Sequence, residues 1–325
     1  MEGRLLVLTD GKAGHENQSK AFAHALGLEF DLVEVHFNFG GIGKLLSYVH
    51  DRAPSFWPMN QALLNAKSSG RTFANLWELC RNLPAKGFSA VLGTGSGTFY
   101  AAKILSRRLG VPCGVVLYPR GYSLAGFDVI LAPSFDRPAK RPNVVELPAN
   151  LVAADDAFYE KGVAAFRERY SGGVDNLVGV IVGGPNKCST MTADWMRARL
   201  VELFAANEGA QMCVTTSRRT PGDVEAVVDS FPWAYKLIYS RDRFNPIPAF
   251  VKLAKRLYVT AESTGMLSEA CTCGTAEVFA LDNLKPGPSK FRRFVEGLSE
   301  GGYVGGRRKV DLSAEFRRAK ERLGL

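Results

Sequence analysis

Two glycine-rich loops, each directly after an apolar run, carry the residue types with the clearest chemical use. The first is TDGKAGH at residues 9–15, after Leu5–Leu8, and the second is GGPNK at residues 183–187, after Val178–Val182. Each pattern predicts a buried parallel strand, a tight turn and a helix start. Glycine lets backbone N–H groups approach a ligand closely, and a helix N-terminus favours negative charge. Two such loops facing a cleft suit a phosphorylated substrate and its acceptor, whereas either loop alone also suits an ordinary turn.

The first loop also offers a candidate general base. His15 closes it, and histidine is the side chain that most readily exchanges protons near neutral pH. Asp10 in the same loop is the second candidate, and a helix-start residue bonded to backbone is the alternative role for His15. We expect the acceptor-side residues in this half to be Gly11, Lys12, Gly14, Gly95, Ser96, Gly97, Tyr118 and Arg120.

Two segments of the second half suit a nucleoside diphosphate. Arginines follow the apolar segment Gln211–Thr215, and guanidinium groups bind phosphates by charge-assisted hydrogen bonds. The segment TAESTGMLSE at 260–269 combines a strand end, a small-residue turn and a helix start, and its last glutamate can accept hydrogen bonds from a ribose diol. The alternatives are a solvated arginine pair, a serine N-cap and an exposed helix carboxylate. The predicted nucleotide-sugar-binding residues are Gly183, Gly184, Asn186, Lys187, Ser217, Arg218, Arg219, Glu262, Ser263, Thr264, Gly265, Met266, Ser268 and Glu269.

The elements that must position these residues alternate between strand and helix patterns. We predict strands at 5–8, 32–35, 90–92, 113–118, 129–131 and 144–147, then at 178–182, 211–215, 236–239, 256–260 and 276–281, with residues 40–82 mostly helical. This alternation predicts an α/β fold whose parallel sheets are covered on both faces. In such sheets ligands bind beyond the carboxyl ends of the strands, where the polar clusters fall.

The domain organisation follows from the repeated pattern. We expect two Rossmann-like domains facing a cleft: an acceptor domain at 1–152 and a nucleotide-sugar donor domain at 175–308. A linker helix at 153–174 joins them, and a helix at 309–325 returns to the first domain.

The composition and net charge limit the classes of binding partner. The 325 residues include 41 Lys and Arg against 32 Asp and Glu, a net charge of +9, which suits an anionic partner. No basic run interleaved with aromatics predicts a nucleic-acid groove. No apolar stretch approaches the ~20 residues that span a bilayer, and the start is unlike a signal peptide. We therefore expect a cytoplasmic protein with peripheral contact at an anionic inner membrane. The aromatics Phe56, Trp57 and Trp77 either serve that contact or fill the core.

The chain resembles the GT-B glycosyltransferases, and among them the peptidoglycan lipid N-acetylglucosaminyltransferases. That family opens with a strand and a Gly-Gly-Thr-Gly-Gly-His loop, which DGKAGH at 10–15 resembles. GTGS at 93–96, VGGP at 182–185 and LSEACTCG at 267–274 resemble its later glycine loops and its donor-binding segment.

A closer resemblance is to the "elongated mitochondria" family of plants and bacteria. It is carried by TDGKAGHENQ at 9–18, SRRTP at 217–221 and TAESTGMLSEA at 260–270, and covers nearly the whole chain. The chain departs from the family pattern at TAE, residues 275–277, and in its glycine-rich GTGSG at 93–97. Bacterial members are regarded as outer-core lipopolysaccharide glycosyltransferases, some with an old epimerase label.

These observations imply a metal-independent glycosyltransferase with no cofactor. It would move a sugar from a nucleotide-diphosphate sugar, of UDP type, to a glycan or glycolipid acceptor. Two alternatives stay open: a nucleotide-sugar epimerase of the same fold, using Glu262 and Glu269 as acid and base, and a non-catalytic adaptor at a membrane. A dehydrogenase is disfavoured because neither loop completes Gly-x-Gly-x-x-Gly with a following acidic residue.

Overall fold

The computed structural model describes residues 3–53, 61–83, 87–152 and 155–325. The chain forms two compact units, of which the first comprises Met1–Leu147 with Leu312–Leu325 and the second Pro148–Asp311. Phe56 and Trp57 of the predicted aromatic stretch lie outside the described residues, as do residues 153 and 154 of the predicted linker.

The first unit is built on one mostly parallel sheet. Within the described ranges it has eight strands in the order β4-β3-β2-β1-β5-β6-β7-β8. The strands are β1 Arg4–Thr9, β2 Phe30–Phe37, β3 Leu64–Ser68, β4 Arg71–Phe73, β5 Phe88–Thr94, β6 Cys113–Val116, β7 Val129–Pro133 and β8 Val144–Leu147. The helices are α1 Ala13–Leu26, α2 Gly40–Arg52, α3 Leu76–Asn82 and α4 Phe99–Leu109, with short 3-10 turns at Gln61–Leu63 and Ser134–Asp136.

Residues 40–82 differ from the sequence prediction, which made them mostly helical. The helix α2 ends at Arg52, and β3 and β4 form an antiparallel hairpin that pairs with β2 through β3. The reason is local: Leu64 and Ala66 are fully buried and alternate with less buried neighbours, which is strand periodicity. At the turn, Ser69 and Gly70 have φ of 46° and 79°, the left-handed pair that tight hairpins require.

The second unit is built on a parallel sheet in the order β11-β10-β9-β12-β13. Its strands are β9 Leu177–Ile181, β10 Gln211–Thr215, β11 Tyr235–Leu237, β12 Arg256–Thr260 and β13 Glu277–Leu281. Its helices are α5 Asp156–Arg167, α6 Ala193–Ala206, α7 Gly222–Asp229, α8 Ile247–Leu253, α9 Thr264–Cys273 and α10 Lys290–Glu300.

The two helices nearest the boundaries between the units each pack within one unit. The predicted linker helix, α5, packs within the second unit: Phe166 is fully buried, with its ring 5.7 Å from that of Phe250 on α8. The last helix, α11 Ser313–Arg322, belongs to the first unit, where Phe316 stacks on Phe22 of α1 at 6.4 Å.

Both sheets change direction next to their first strand. In the first unit β1 lies between β2 and β5, and in the second β9 lies between β10 and β12. At such a switch point the loops on either side leave in opposite directions and open a crevice at the carboxyl ends. The loops after β1 and β5, and those after β9 and β12, hold most of the candidate residues. The others follow neighbouring strands: Tyr118 and Arg120 come after β6, and residues 217–219 come after β10.

Candidate active site

His15 and Asp10 form a close pair at the first crevice. The His15 Nδ1 lies 3.0 and 3.1 Å from the two carboxylate oxygens of Asp10, whose side chain is only 7% exposed. Lys12 Nζ lies 2.5 Å from one of those oxygens. Burial raises the pKa of Asp10, but the Lys12 hydrogen bond and the nearby His15 outweigh it, so the net pKa lies below its usual value.

This pairing decides which nitrogen of His15 is available. An ionised carboxylate accepts, so Nδ1 carries the proton it donates to Asp10, and the lone pair is left on Nε2. Among the described residues, no hydrogen bond to Nε2 is made. The His15 side chain is 25% exposed. The arrangement is that of a base with a carboxylate that orients it.

The glycines after β5 leave the space that the His15–Asp10 pair occupies. Gly95 has a φ of +81°, and a Cβ there would lie 2.4 Å from the His15 ring. A Cβ on Gly97 would lie 2.6 Å from the Asp10 Cβ. The two loops of the crevice thus touch through glycine Cα atoms, and any larger residue would displace the histidine or the aspartate. Between the glycines, Ser96 Oγ accepts a hydrogen bond of 2.8 Å from Lys44 Nζ of α2.

The other acceptor-side residues have mixed surroundings. Gly11 has a φ of +76°, and a Cβ there would lie 2.6 Å from Glu34, whereas Gly14 lies in α1 with free space around it. The Tyr118 hydroxyl accepts from the Ala139 N–H at 3.3 Å. Arg120 donates to the Asp136 carbonyl and lies 3.5 Å from its carboxylate. Arg120 therefore holds a loop and is partly neutralised.

In the second unit Glu262 has a different task from the predicted one. It is 2% exposed, and Oε1 accepts from the Gly184 N–H at 2.8 Å and from Thr260 Oγ1 at 3.1 Å. Its Oε2 accepts from Asn283 Nδ2 at 2.7 Å, and the Gly183 N–H donates to Thr260 Oγ1 at 2.9 Å. Glu262 is thus a buried structural carboxylate, and the N–H groups of both glycines donate within the protein instead of to a ligand.

Three further predicted residues are also engaged locally. Ser268 is fully buried, donating to the Thr264 carbonyl at 2.7 Å and accepting from the Asn150 N–H at 3.0 Å. Asn186 closes its own turn by accepting from the Cys188 N–H at 2.8 Å. Ser217 lies 3.1 Å from Thr220 Oγ1, which donates to the Gly183 carbonyl at 2.6 Å. These contacts fix the loops of the crevice and leave little of the side chains for a ligand.

The start of α9 keeps its backbone donors available. Ser263 occupies the N-cap position, yet its side chain makes no capping hydrogen bond. The N–H groups of Thr264, Gly265 and Met266 have no helical partner and bond to no other backbone group of the described chain. These orphan donors carry the positive end of the helix dipole, which favours an anion.

Glu269 lies one turn further along α9 and is held by a residue that the sequence analysis missed. The Tyr159 hydroxyl of α5 donates to Glu269 Oε1 at 3.2 Å. Burial raises the pKa of Glu269, and the Tyr159 hydrogen bond only partly offsets this. No local pattern signals Tyr159, because it lies 110 residues away in sequence.

A cavity of about 260 Å³ opens beside these donors at the carboxyl ends of β10 and β11. Its lining includes Met266, the aromatic rings of Tyr239 and Phe244, and three arginines: Arg218, Arg219 and Arg243. All three are exposed, and none has an ion-pair partner among the described residues. Arg241, two residues from Arg243, is by contrast paired with Asp229 at 2.7 Å. Unpaired guanidinium groups around a concavity favour a polyanionic ligand.

The family follows from the sequence as a whole. The model of a family described as mitochondrial fission ELM1 matches residues 13–315. The chain belongs to that family. This confirms the resemblance to the "elongated mitochondria" proteins. No curated protein matches this ELM1-family chain significantly.

Solved structures place the ELM1-family chain in the GT-B fold. It is similar to UGT89C1 of Arabidopsis thaliana complexed with UDP-L-rhamnose (10% identity, 97% of this chain and 88% of that chain, TM-score 0.54). It is also similar to a UDP-glucosyltransferase from Polygonum tinctorium capable of glucosylating indoxyl (11%, 99% and 89%, 0.52). A third is the UDP-GlcNAc 2-epimerase of Neisseria meningitidis bound to UDP-GlcNAc (12%, 99% and 98%, 0.50). The predicted α/β class with two Rossmann-like domains is confirmed.

Sequence reasoning missed several side chains of the ELM1-family crevices. Tyr239, Arg243 and Phe244 follow β11, so the strand-end rule that selected Arg218 would also have selected them. Lys44 gave no signal, since its contact with Ser96 spans 52 residues. Within the part of the chain that the structure describes, no helix combines the length and apolarity needed to cross a membrane.

Proposed function

We propose that this ELM1-family protein is a glycosyltransferase that uses a nucleotide-diphosphate sugar of UDP type and a glycan or glycolipid acceptor. The observation that carries the proposal is the second-unit cavity, where three unpaired arginines adjoin the orphan N–H groups of α9. These groups suit a diphosphate without a metal ion, because cations and helix dipoles can stabilise the charge of the leaving group. The named ligands of similar folds, UDP-L-rhamnose and UDP-GlcNAc, are of the same class.

The donor would bind in three parts, using the lining of the cavity and two residues outside that lining, Lys187 and Glu269. Arg218, Arg219 and Arg243 would bind the diphosphate, together with Lys187, whose Nζ has no partner among the described residues. Tyr239 and Phe244 offer flat apolar surfaces for a base. Glu269 would accept from the ribose hydroxyls through the oxygen that Tyr159 leaves free.

The acceptor would use the first-unit crevice. His15 Nε2 would take the proton of the acceptor hydroxyl as its oxygen attacks the anomeric carbon. The bond from that carbon to the diphosphate oxygen breaks, and the nucleoside diphosphate leaves with the electron pair. Asp10 would hold the imidazole tautomer and stabilise the imidazolium that forms. Of the two candidate bases, the geometry favours His15, because Asp10 is already occupied by His15 and Lys12.

Isothermal titration of the full chain with UDP tests the donor site. The double variant Arg218→Ala/Arg243→Ala should bind about 30-fold more weakly or worse, because each of the two lost charged hydrogen bonds costs roughly 1–3 kcal/mol. Glu269→Gln should also weaken binding. The matched control is Arg241→Ala, an arginine of the same loop that is already paired, and it should bind as the wild type does. Unchanged affinity in the double variant, or no binding by the wild type, would contradict the proposal and favour a non-catalytic adaptor.

The epimerase alternative is distinguished by product. An epimerase would need acid and base groups on the donor side, and Glu262 has both oxygens engaged in the structure. Incubation with UDP-GlcNAc in deuterium oxide without acceptor is the test. Deuterium at the sugar C2 would indicate epimerisation, whereas we expect none.

A further inference from the structure

The helix α2 presents its apolar face to solvent. Eight large apolar side chains are exposed in the described part of the chain, and five of them belong to this helix and the residue before it. They are Phe39, Ile42, Leu45, Leu46 and Val49, with exposed fractions of 75, 68, 64, 39 and 57%. The spacing of three, three, one and three residues places them on one side of the helix. We call these five residues the α2 apolar face.

The opposite side of α2 explains why the helix cannot turn this face inward. Gly43 and Ser47 are buried, and a Cβ on Gly43 would lie 2.0 Å from the Asn38 carbonyl oxygen. Ser47 Oγ lies 2.9 Å from the Tyr122 hydroxyl, and Asp51 forms a buried ion pair with Lys103 at 2.7 Å. Small and polar contacts thus fix the helix orientation, although burying the apolar side would release more surface from water.

The unit that carries the α2 apolar face is basic. The first unit has 20 Lys and Arg against 13 Asp and Glu, so it carries +7 of the net charge of +9. Three cations in the loop after β7, Arg137, Lys140 and Arg141, are exposed without an ion-pair partner among the described residues. This loop and α2 both follow carboxyl ends of parallel strands, so they share one edge of the sheet.

Three acidic side chains of this unit are paired: Asp10 with Lys12 and His15, Asp51 with Lys103, and Asp136 with Arg120. Glu146, at the end of β8, is exposed, but the unit as a whole keeps its net charge of +7. A second copy of the chain would bring two units of charge +7 together, whereas an anionic bilayer offers both an apolar interior and negative headgroups.

We infer that the α2 apolar face inserts into the surface of an anionic lipid bilayer. The Lys44–Ser96 contact joins this helix to the glycine loop that holds His15. Insertion would therefore place the proposed acceptor crevice at the headgroups, within reach of a lipid-linked hydroxyl. Only this last step, the class of acceptor, rests on the proposed function.

Vesicle co-sedimentation of the full chain tests the inference. One set of vesicles is phosphatidylcholine alone, and the other mixes it with an equal part of phosphatidylglycerol. We expect binding to the mixed vesicles that weakens with added salt. Leu45→Glu should lower the partition coefficient about tenfold or more. The control Val201→Glu, on α6 of the second unit, adds the same charge at a residue of similar exposure (58%) and should bind like the wild type. Lys140→Ala/Arg141→Ala should lower binding and its salt dependence.

Equal binding by Leu45→Glu and the wild type, or no wild-type binding, overturns the inference. A dimer in sedimentation velocity that Leu45→Glu dissociates would also overturn it, in favour of a second copy as the occupant. Leu45 is exposed, and its variant should keep the wild-type thermal transition and UDP affinity. The vesicle assay contains no nucleotide, so its failure and the failure of UDP binding are separate results.

Discussion

At the scale of single residues, the Asp10–His15 pair shows how two loops share the work. The loop after β1 supplies both side chains, and the loop after β5 supplies the space they occupy. The pair needs Gly95 and Gly97 as much as it needs a histidine. This steric requirement explains the glycine-rich GTGSG segment, which departs from the family pattern.

His15→Ala should reduce sugar transfer about 10²–10⁴-fold, the usual effect of losing a general base. UDP affinity should hold, because the donor groups belong to the other unit. Asp10→Asn should cost less than His15→Ala, since it removes the orienting carboxylate and leaves the base. Single-turnover rates with a UDP-sugar, beside calorimetry with UDP, measure both effects. A His15→Ala variant with the wild-type rate would transfer the base assignment to Asp10.

Gly95→Ala should destabilise the fold by about 1–2 kcal/mol from its left-handed backbone alone, and further because its Cβ collides with His15. Gly14→Ala, at the residue before His15, is the control: Gly14 lies in α1 with free space around it, so the change should raise stability by roughly 0.5–1 kcal/mol. Urea unfolding of both variants measures the difference. Equal stabilities would mean that the loops do not approach as described.

At the scale of elements, the buried Lys103–Asp51 pair joins α4 to the end of α2. Both side chains are 3% exposed, and Lys103 also donates to the Ser123 carbonyl at 2.7 Å. Burial lowers the pKa of Lys103, and the Asp51 hydrogen bond counteracts only part of that effect. The pair therefore fixes the end of α2, although removing its two charges from water costs free energy.

Lys103→Met should lower the unfolding free energy by about 3–5 kcal/mol, because it leaves Asp51 buried without a counter-charge. Lys103→Met/Asp51→Asn should recover part of this loss, since the stranded charge is gone while the Ser123 N–H keeps an acceptor. The control is Lys20→Met, which removes a half-buried i,i+4 pair with Glu16 and should cost about 0.2–0.5 kcal/mol. A double variant no better than the single would show that packing, not charge, dominates.

Sequence reasoning was most successful where one element decides the outcome. The strands and the loops beyond their carboxyl ends follow from local patterns. It failed where partners are distant in sequence. Glu262 was predicted to bind a ligand, and its actual partner, the Gly184 N–H, lies 78 residues away in sequence. Residues 64–73 were predicted to be helical, and their strand structure depends on the pairing of β3 with the distant strand β2.

At the scale of the whole molecule, the two units differ in how many segments of the chain build them. The second unit is a single segment, whereas the first is completed only by α11, in which Ala319 is fully buried. Leu312 and Leu323 flank that helix and are 6% and 2% exposed.

Removing residues 312–325 should destabilise the first unit and spare the second. Two buried leucines alone are worth about 1.5–3 kcal/mol each. Differential scanning calorimetry should show one transition moving down. UDP at a hundredfold excess over its Kd should stabilise the other transition by about 2.7 kcal/mol. A truncated chain that loses UDP affinity would indicate that the second unit depends on the first.

The place of α11 has a consequence for synthesis on the ribosome. Domains usually fold in the order in which they emerge, amino-terminal first. Here the strands of the first unit leave the exit tunnel early but lack the helix that covers β8 and α1. The ribosome synthesises the whole second unit, Pro148–Asp311, before it reaches that helix. The first unit therefore cannot be completed until α11 has emerged, and its early strands must wait, exposed to chaperones, for that helix.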